Sequence, residues 1–142
     1  MKTHLMIHHS LTKDSKTVSW QAIRDYHLSK GWRDVGYHLG VEMVGDRYEV
    51  LMGRPLNARA AAAYQQQMNE RAIHVCFVGN YDETVPPVGM LRYAAQHLTP
   101  ICEAFNIAID DAHVIGHRKV APKSCPGNKF AVSSLISIMR GV

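Results

Sequence analysis

The sequence predicts an α/β domain in which a central mixed β-sheet is flanked by about three helices. Short apolar runs rich in β-branched residues, closed by glycine, proline or polar turns, alternate with stretches whose apolar residues recur every three or four positions. A chain that interleaves these two periods folds as strands and helices in layers, with its sites at strand ends. The length of 142 residues suits a single domain over 1–142 and is enough to bury a real core.

Residues 4–9, His-Leu-Met-Ile-His-His, are an apolar run that turns polar at Ser10-Leu-Thr-Lys-Asp-Ser, the pattern of a buried strand ending in a loop. Ser19 is a good N-cap, and Trp20, Ile23, Tyr26 and His27 recur at helical spacing until Lys30-Gly31 closes a first amphipathic helix. The runs 35–44 and 48–52, separated by Gly45-Asp46, predict a β-hairpin. Residues 57–69 are rich in alanine and glutamine, so propensity alone predicts a short helix there. The stretch 73–79 is apolar at nearly every position and predicts a central strand, with Cys76 as a small core side chain. Pro86-Pro87 opens a second helix carrying Leu91, Ala94, Ala95, Leu98 and Cys102; Pro100 lacks an N–H and crowds the preceding turn, which predicts a break near Thr99. Val114-Ile115 is β-branched and Gly116 disfavours a helix, which puts His117 at the end of a strand. Residues 129–140 predict a third helix, with Phe130, Leu135, Ile136 and Met139 on its apolar side.

Composition narrows the function classes. The opening residues lack the apolar run of a secretory signal, and the chain nowhere approaches the ~20 apolar residues of a membrane span; a monomer made and kept in the cytoplasm is expected. Cys76, Cys102 and Cys125 are odd in number and read as thiols or ligands rather than a disulfide framework. The net charge of +4 would suit a polyanion, but the basic residues are scattered and not interleaved with aromatics, so no nucleic-acid partner is expected. Nine histidines are many for this length and point to metal or acid-base chemistry.

That chemistry is expected in the segment from His113 to Pro126, which gathers His117, Lys123 and Cys125 at a strand end and on a loop stiffened by Pro122 and Pro126. Imidazole and thiolate are good zinc ligands, so His117 and Cys125 need one more donor and an open position. His8 and His9, at the mouth of the first strand, are both candidates for it. Consecutive strand residues point to opposite faces, so at most one of them serves the site, and the pattern alone does not choose. His113 lies roughly 13 Å from His117 along an extended strand, too far to share one ion. His27, His74 and His97 fall within elements and are expected to be structural.

Ile7-His-His-Ser-Leu-Thr, Gly31-Trp-Arg-Asp-Val-Gly-Tyr-His, Gly53-Arg-Pro-Leu, Val75-Cys-Phe-Val-Gly-Asn and Gly116-His-Arg-Lys-Val-Ala-Pro-Lys-Ser-Cys-Pro stand in this order along nearly the whole chain. In this the chain resembles the zinc-dependent N-acetylmuramoyl-L-alanine amidases, a family that includes the amidase-type phage lysozymes, or endolysins, and is related to the peptidoglycan recognition proteins. The resemblance implies His8, His117 and Cys125 as ligands of a Zn2+ ion, with His9 the variable neighbour. It also implies Tyr37 and Lys123 as the catalytic pair, with Tyr37 handling a proton or orienting water and Lys123 stabilising an oxyanion. The substrate implied is peptidoglycan or a muropeptide, cut between N-acetylmuramic acid and L-alanine. The chain departs from the family in one loop, where Tyr64 and Gln67 stand in place of a histidine and a glycine, which bears on substrate contacts.

The resemblance favours a phage or prophage endolysin acting on the cell wall after release. A cytoplasmic amidase recycling soluble muropeptides and a non-catalytic peptidoglycan-binding domain are the alternatives, the latter disfavoured because every ligand position is intact. A purely structural zinc site would need a fourth protein ligand, a part that His9 or His38 could take only by turning inward.

Overall fold

Strand β1 (His4–His9) is buried from Leu5 onward, as its unbroken apolar run requires. The computed structural model describes residues 1–11 and 19–141, so most of the polar loop expected after β1 lies outside the described residues. Helix α1 (Trp20–Ser29) starts where Ser19 accepts a hydrogen bond from the Ala22 N–H, and its buried side is narrower than the sequence suggests: Trp20 and Ile23 are buried while Tyr26 is exposed. Strands β2 (Leu39–Val44) and β3 (Arg47–Met52) form the expected antiparallel hairpin around Gly45-Asp46. Residues 35–38 stay outside the strand as a bend.

The helix expected over 57–69 is not formed. In its place are a loop, a 3₁₀ turn at Gln65–Gln67 and the single turn α2 (Met68–Arg71), with Gln66 and Gln67 both at positive φ. Tertiary partners outcompete the helical ladder here. The Ala60 N–H donates to Asn69 O, the Ala61 N–H to Gly36 O, and the Ala62 and Ala63 N–H groups to the buried Asn69 Oδ1, which leaves these amides nothing to gain from an i−4 carbonyl.

Strand β4 (Ala72–Phe77) follows, buried throughout, and helix α3 (Val88–Ala104) runs unbroken through Pro100. The break expected near Thr99 is absent because Pro100 and Gln96, whose carbonyl loses its partner, are both exposed, so water can replace that bond while Leu91, Ala94, Leu98 and Cys102 keep one buried stripe. Strand β5 (Val114–Gly116) and helix α4 (Val132–Met139) complete the chain. Helix α4 begins later than the periodicity suggests, because the Lys129 and Phe130 N–H groups are engaged with Tyr81 O and Gly127 O.

The five strands lie in the order β3-β2-β4-β1-β5, parallel except for the β2–β3 hairpin, so the sheet is mixed and β4 is its middle strand. The parallel register sorts side chains into two faces. Leu5, Ile7, Val41, Val75 and Phe77 pack with the stripes of α3 and α4 into the main core. Met6, His8, His74, Cys76 and Ile115 point the other way, towards α1 and the 54–69 loop. Among the described residues no helix is long and apolar enough to cross a membrane.

Candidate metal centre

The second face ends in a cluster of donors. Pairing with β4 sets His8 beside Cys76, and pairing with β5 sets Ile7 beside Gly116, so His117, one residue further, comes level with His8. The two imidazole centroids are 4.9 Å apart. Gly116 also lets the following loop fold back, since a Cβ there would come within 2.7 Å of Pro126. This brings Cys125 Sγ to 3.7 Å from His8 Nδ1. One ligand atom from each of His8, His117 and Cys125 lies within 4.8 Å of the others, and among the described residues no further histidine, cysteine or carboxylate joins them. His117 Nε2 is buried without a hydrogen-bond partner. Such an orphan costs about 1–3 kcal/mol unless a bound group partners it. Two imidazoles, one thiol and an orphaned ring nitrogen fit a zinc ion that keeps one position for water or substrate.

The protonation pattern suits a cation as well. Burial drives His8 well below the usual histidine range, helped by the neighbouring rings and Lys123, and burial and then Lys123 hold His117 down to about 4. Both rings are therefore neutral and carry a free lone pair. Burial pushes the Cys125 thiol up to about 11, against the pull of a backbone hydrogen bond from His9 and of Lys123 and Arg118. Metal binding would displace that proton.

A hydrogen-bonded chain behind His8 selects which nitrogen carries its hydrogen. His74 Nε2 lies 2.7 Å from Met68 O and His74 Nδ1 lies 2.8 Å from His8 Nε2. A carbonyl only accepts, so His74 Nε2 donates. A neutral imidazole carries a single N–H, and with that hydrogen on Nε2 the His74 Nδ1 must accept. His8 Nε2 then donates, and His8 Nδ1 is the bare nitrogen facing Cys125. His38, also expected as a conceivable inward-turning ligand, is occupied elsewhere: its Nε2 donates to Ala58 O and its Nδ1 accepts the His74 backbone N–H.

Two side chains hold the Cys125 loop. Asp82 accepts from Ser124 Oγ at 3.0 Å and from the Asn128 N–H at 2.8 Å. Arg118 donates to Gly127 O at 2.7 Å and Phe130 O at 2.8 Å, and its backbone N–H reaches Cys125 O.

Tyr37 leads into β2, with its ring 5.2 Å from that of His8 and within 6.3 Å of that of Trp20. Gly40 makes this possible, since any Cβ there would collide with the Trp20 ring. Burial raises the Tyr37 hydroxyl well above its usual range, followed by Cys76 and Cys125, so it is protonated and able to donate. Lys123 is exposed and shares a hollow of about 270 Å³ with His117, Trp32, Ala61 and Tyr64. A larger cleft of about 680 Å³, with Arg33, Arg54 and Arg59 on its walls, shares Trp32 and Ala61 with that hollow but stops short of the donors. The two hollows adjoin at Trp32 and Ala61, and the smaller one reaches His117, with Tyr64, 79% exposed, on its wall.

The other histidines stand apart. His9 points to the opposite face and accepts the Tyr81 N–H. His113 pairs with Asp110, and His27 accepts the Gly36 N–H. Sequence reading missed His74, Asp82 and Arg118. Of these, His74 carried a usable signal, since it stands two residues before Cys76 in a strand and so shares its face.

A family profile described as N-acetylmuramoyl-L-alanine amidase matches residues 2–128. The endolysin of Escherichia phage T7 is 31% identical over 128 residues, spanning 86% of this chain and 78% of its own. Peptidoglycan-recognition protein LB of Drosophila melanogaster is 30% identical over 136 residues, spanning 89% of this chain and 55% of its own. Among solved structures, the endolysin amidase LysCS from Clostridium intestinale URNW superposes with a TM-score of 0.79 at 23% identity, covering 99% of this chain and 84% of that one, a likeness of fold.

Proposed function

Since the chain belongs to the N-acetylmuramoyl-L-alanine amidase family, we propose that it hydrolyses the amide between the lactyl group of N-acetylmuramic acid and L-alanine in peptidoglycan, using zinc held by His8, His117 and Cys125. The observation that carries this reading is the three-donor cluster with its orphaned His117 nitrogen, beside a hollow that His117 and Lys123 both line. A zinc ion in such a site polarises an amide carbonyl and makes water nucleophilic near neutral pH.

The chain's own groups supply the rest. The Lys123 ammonium, which only donates, suits the oxygen on which negative charge develops as the carbonyl carbon becomes tetrahedral. The protonated Tyr37 hydroxyl can donate to one group and accept from another, so it suits orienting water or passing a proton to the departing amine. The larger cleft offers the Trp32 ring and a net positive lining, Arg33, Arg54 and Arg59 against Asp34, to a sugar-peptide carrying carboxylates.

The endolysin relatives favour the intact cell wall as substrate, with the protein released to it from the cytoplasm, over soluble muropeptides. Purified protein given intact sacculi and, in parallel, soluble muropeptides is expected to release free stem peptides from sacculi, detected by mass spectrometry, and to stop when a chelator removes zinc. Release from soluble fragments alone would assign it to recycling. Cleavage between sugars would overturn the amidase reading.

A further inference from the structure

We propose that His74 is a positioning residue which sets the tautomer of His8 and so aims the His8 Nδ1 lone pair at the metal; this rests on the zinc reading above. The contrast with His38 carries it. His38 is fully buried and ties both ring nitrogens to main-chain groups, Ala58 O and the His74 N–H, as a purely structural histidine does. His74 is equally buried but ties only Nε2 to the main chain, at Met68 O, and turns Nδ1 onto the His8 ring at 2.8 Å. The hydrogen-bond directions run one way, from His8 Nε2–H to His74 Nδ1 and from His74 Nε2–H to Met68 O, because the final acceptor has no hydrogen to give. A neutral His8 locked in this form cannot carry a hydrogen on Nδ1, the nitrogen 3.7 Å from Cys125 Sγ.

The anchor of the chain is equally specific. Met68 opens the single turn α2 directly after Gln66 and Gln67, whose positive φ values of 52° and 60° place it, and Asn69 closes the same loop through Ala62 and Ala63. The loop thus sets the ring that stands directly behind His8. Outer partners of this kind fix the orientation and tautomer of a ligating histidine.

The test uses the full-length protein with His74→Leu, which removes the acceptor, and His74→Asn, whose Oδ1 can still accept from His8 Nε2–H but cannot reach Met68 O. Zinc competition against a chelator is expected to show about 10–100-fold weaker binding in His74→Leu, the loss typical of a deleted outer partner, and recovery of most of it in His74→Asn. Nitrogen-proton NMR correlation on metal-free wild type is expected to show the His8 hydrogen on Nε2, with Nδ1-protonated ring appearing in His74→Leu. Unchanged affinity in His74→Leu, equal weakening in both folded variants, or a wild-type His8 protonated on Nδ1 would each overturn the proposal. Should wild type bind no zinc, the zinc reading fails by itself, while the tautomer still decides the role of His74. Should His74→Leu not fold, the wild-type tautomer and His74→Asn decide.

Discussion

The two faces of the sheet are built from the same strands and do opposite things. On one, Leu5, Ile7, Val75 and Phe77 meet the stripes of α3 and α4, and only packing holds the contact. On the other, His8, His38, Glu42, His74 and Cys76 are just as buried, yet the polar groups among them are held by directed bonds, such as that of the Trp20 N–H to Glu42. Apolar burial tolerates any filling of the right volume. A buried polar face is stable only if its donors and acceptors are matched, and the same matching orients lone pairs. Alternation separates the two faces and strand register assigns them: a shift of one residue in β1 would exchange them.

His8 and His9 are adjacent in β1 and face opposite sides of the sheet, His8 towards Cys125 and His9 towards Tyr81. His8→Ala is expected to abolish zinc binding and activity, and His9→Ala to leave the zinc content at one per chain with a modest drop in stability from the lost bond between the Tyr81 N–H and the His9 ring; metal analysis and melting curves read both. The opposite pattern would mean that the faces are assigned the wrong way round. On the packing face, Leu98→Ala removes a fully buried side chain and is expected to cost ~2–5 kcal/mol in denaturant unfolding with no change in zinc stoichiometry. Next comes Lys123→Ala, expected to retain zinc and fold while kcat falls on the order of 10²–10³, as loss of one oxyanion donor does. Wild-type turnover would make Lys123 an ordinary surface lysine.

The smallest effect is graded rather than local. In metal-free protein His38, His74 and His117 are held neutral down to about 4, 3 and 4 by burial, whereas unfolding returns each to the ordinary 6.5. Below 6.5 the unfolded chain therefore binds more protons than the folded one, so the stability present above that pH is lost progressively as pH falls towards 4. Denaturant midpoints between pH 7 and pH 4.5 should fall steadily, by less in His38→Asn; a flat profile would show that these rings titrate alike in both states.

Much of this was legible because it is local. The apolar run of β1, the Ser19 cap, the hairpin turn at Gly45-Asp46 and the burial of β4 follow from steric and hydrogen-bonding preferences of neighbouring residues. The spacing of His117, Lys123 and Cys125 around two prolines likewise marks one loop. The helix expected over 57–69 and the break expected at Pro100 failed for a common reason: their outcome depends on partners distant in sequence, Asn69 and Gly36 for the alanine amides and open solvent for the Gln96 carbonyl. His74, read from its place inside a strand as structural, turned out to lie against His8. Period and propensity determined which residues could share a face; only the pairing of β1 with β4 and β5 decided that His8 rather than His9 stands beside His117, because strand register is set by contacts between segments far apart in the chain.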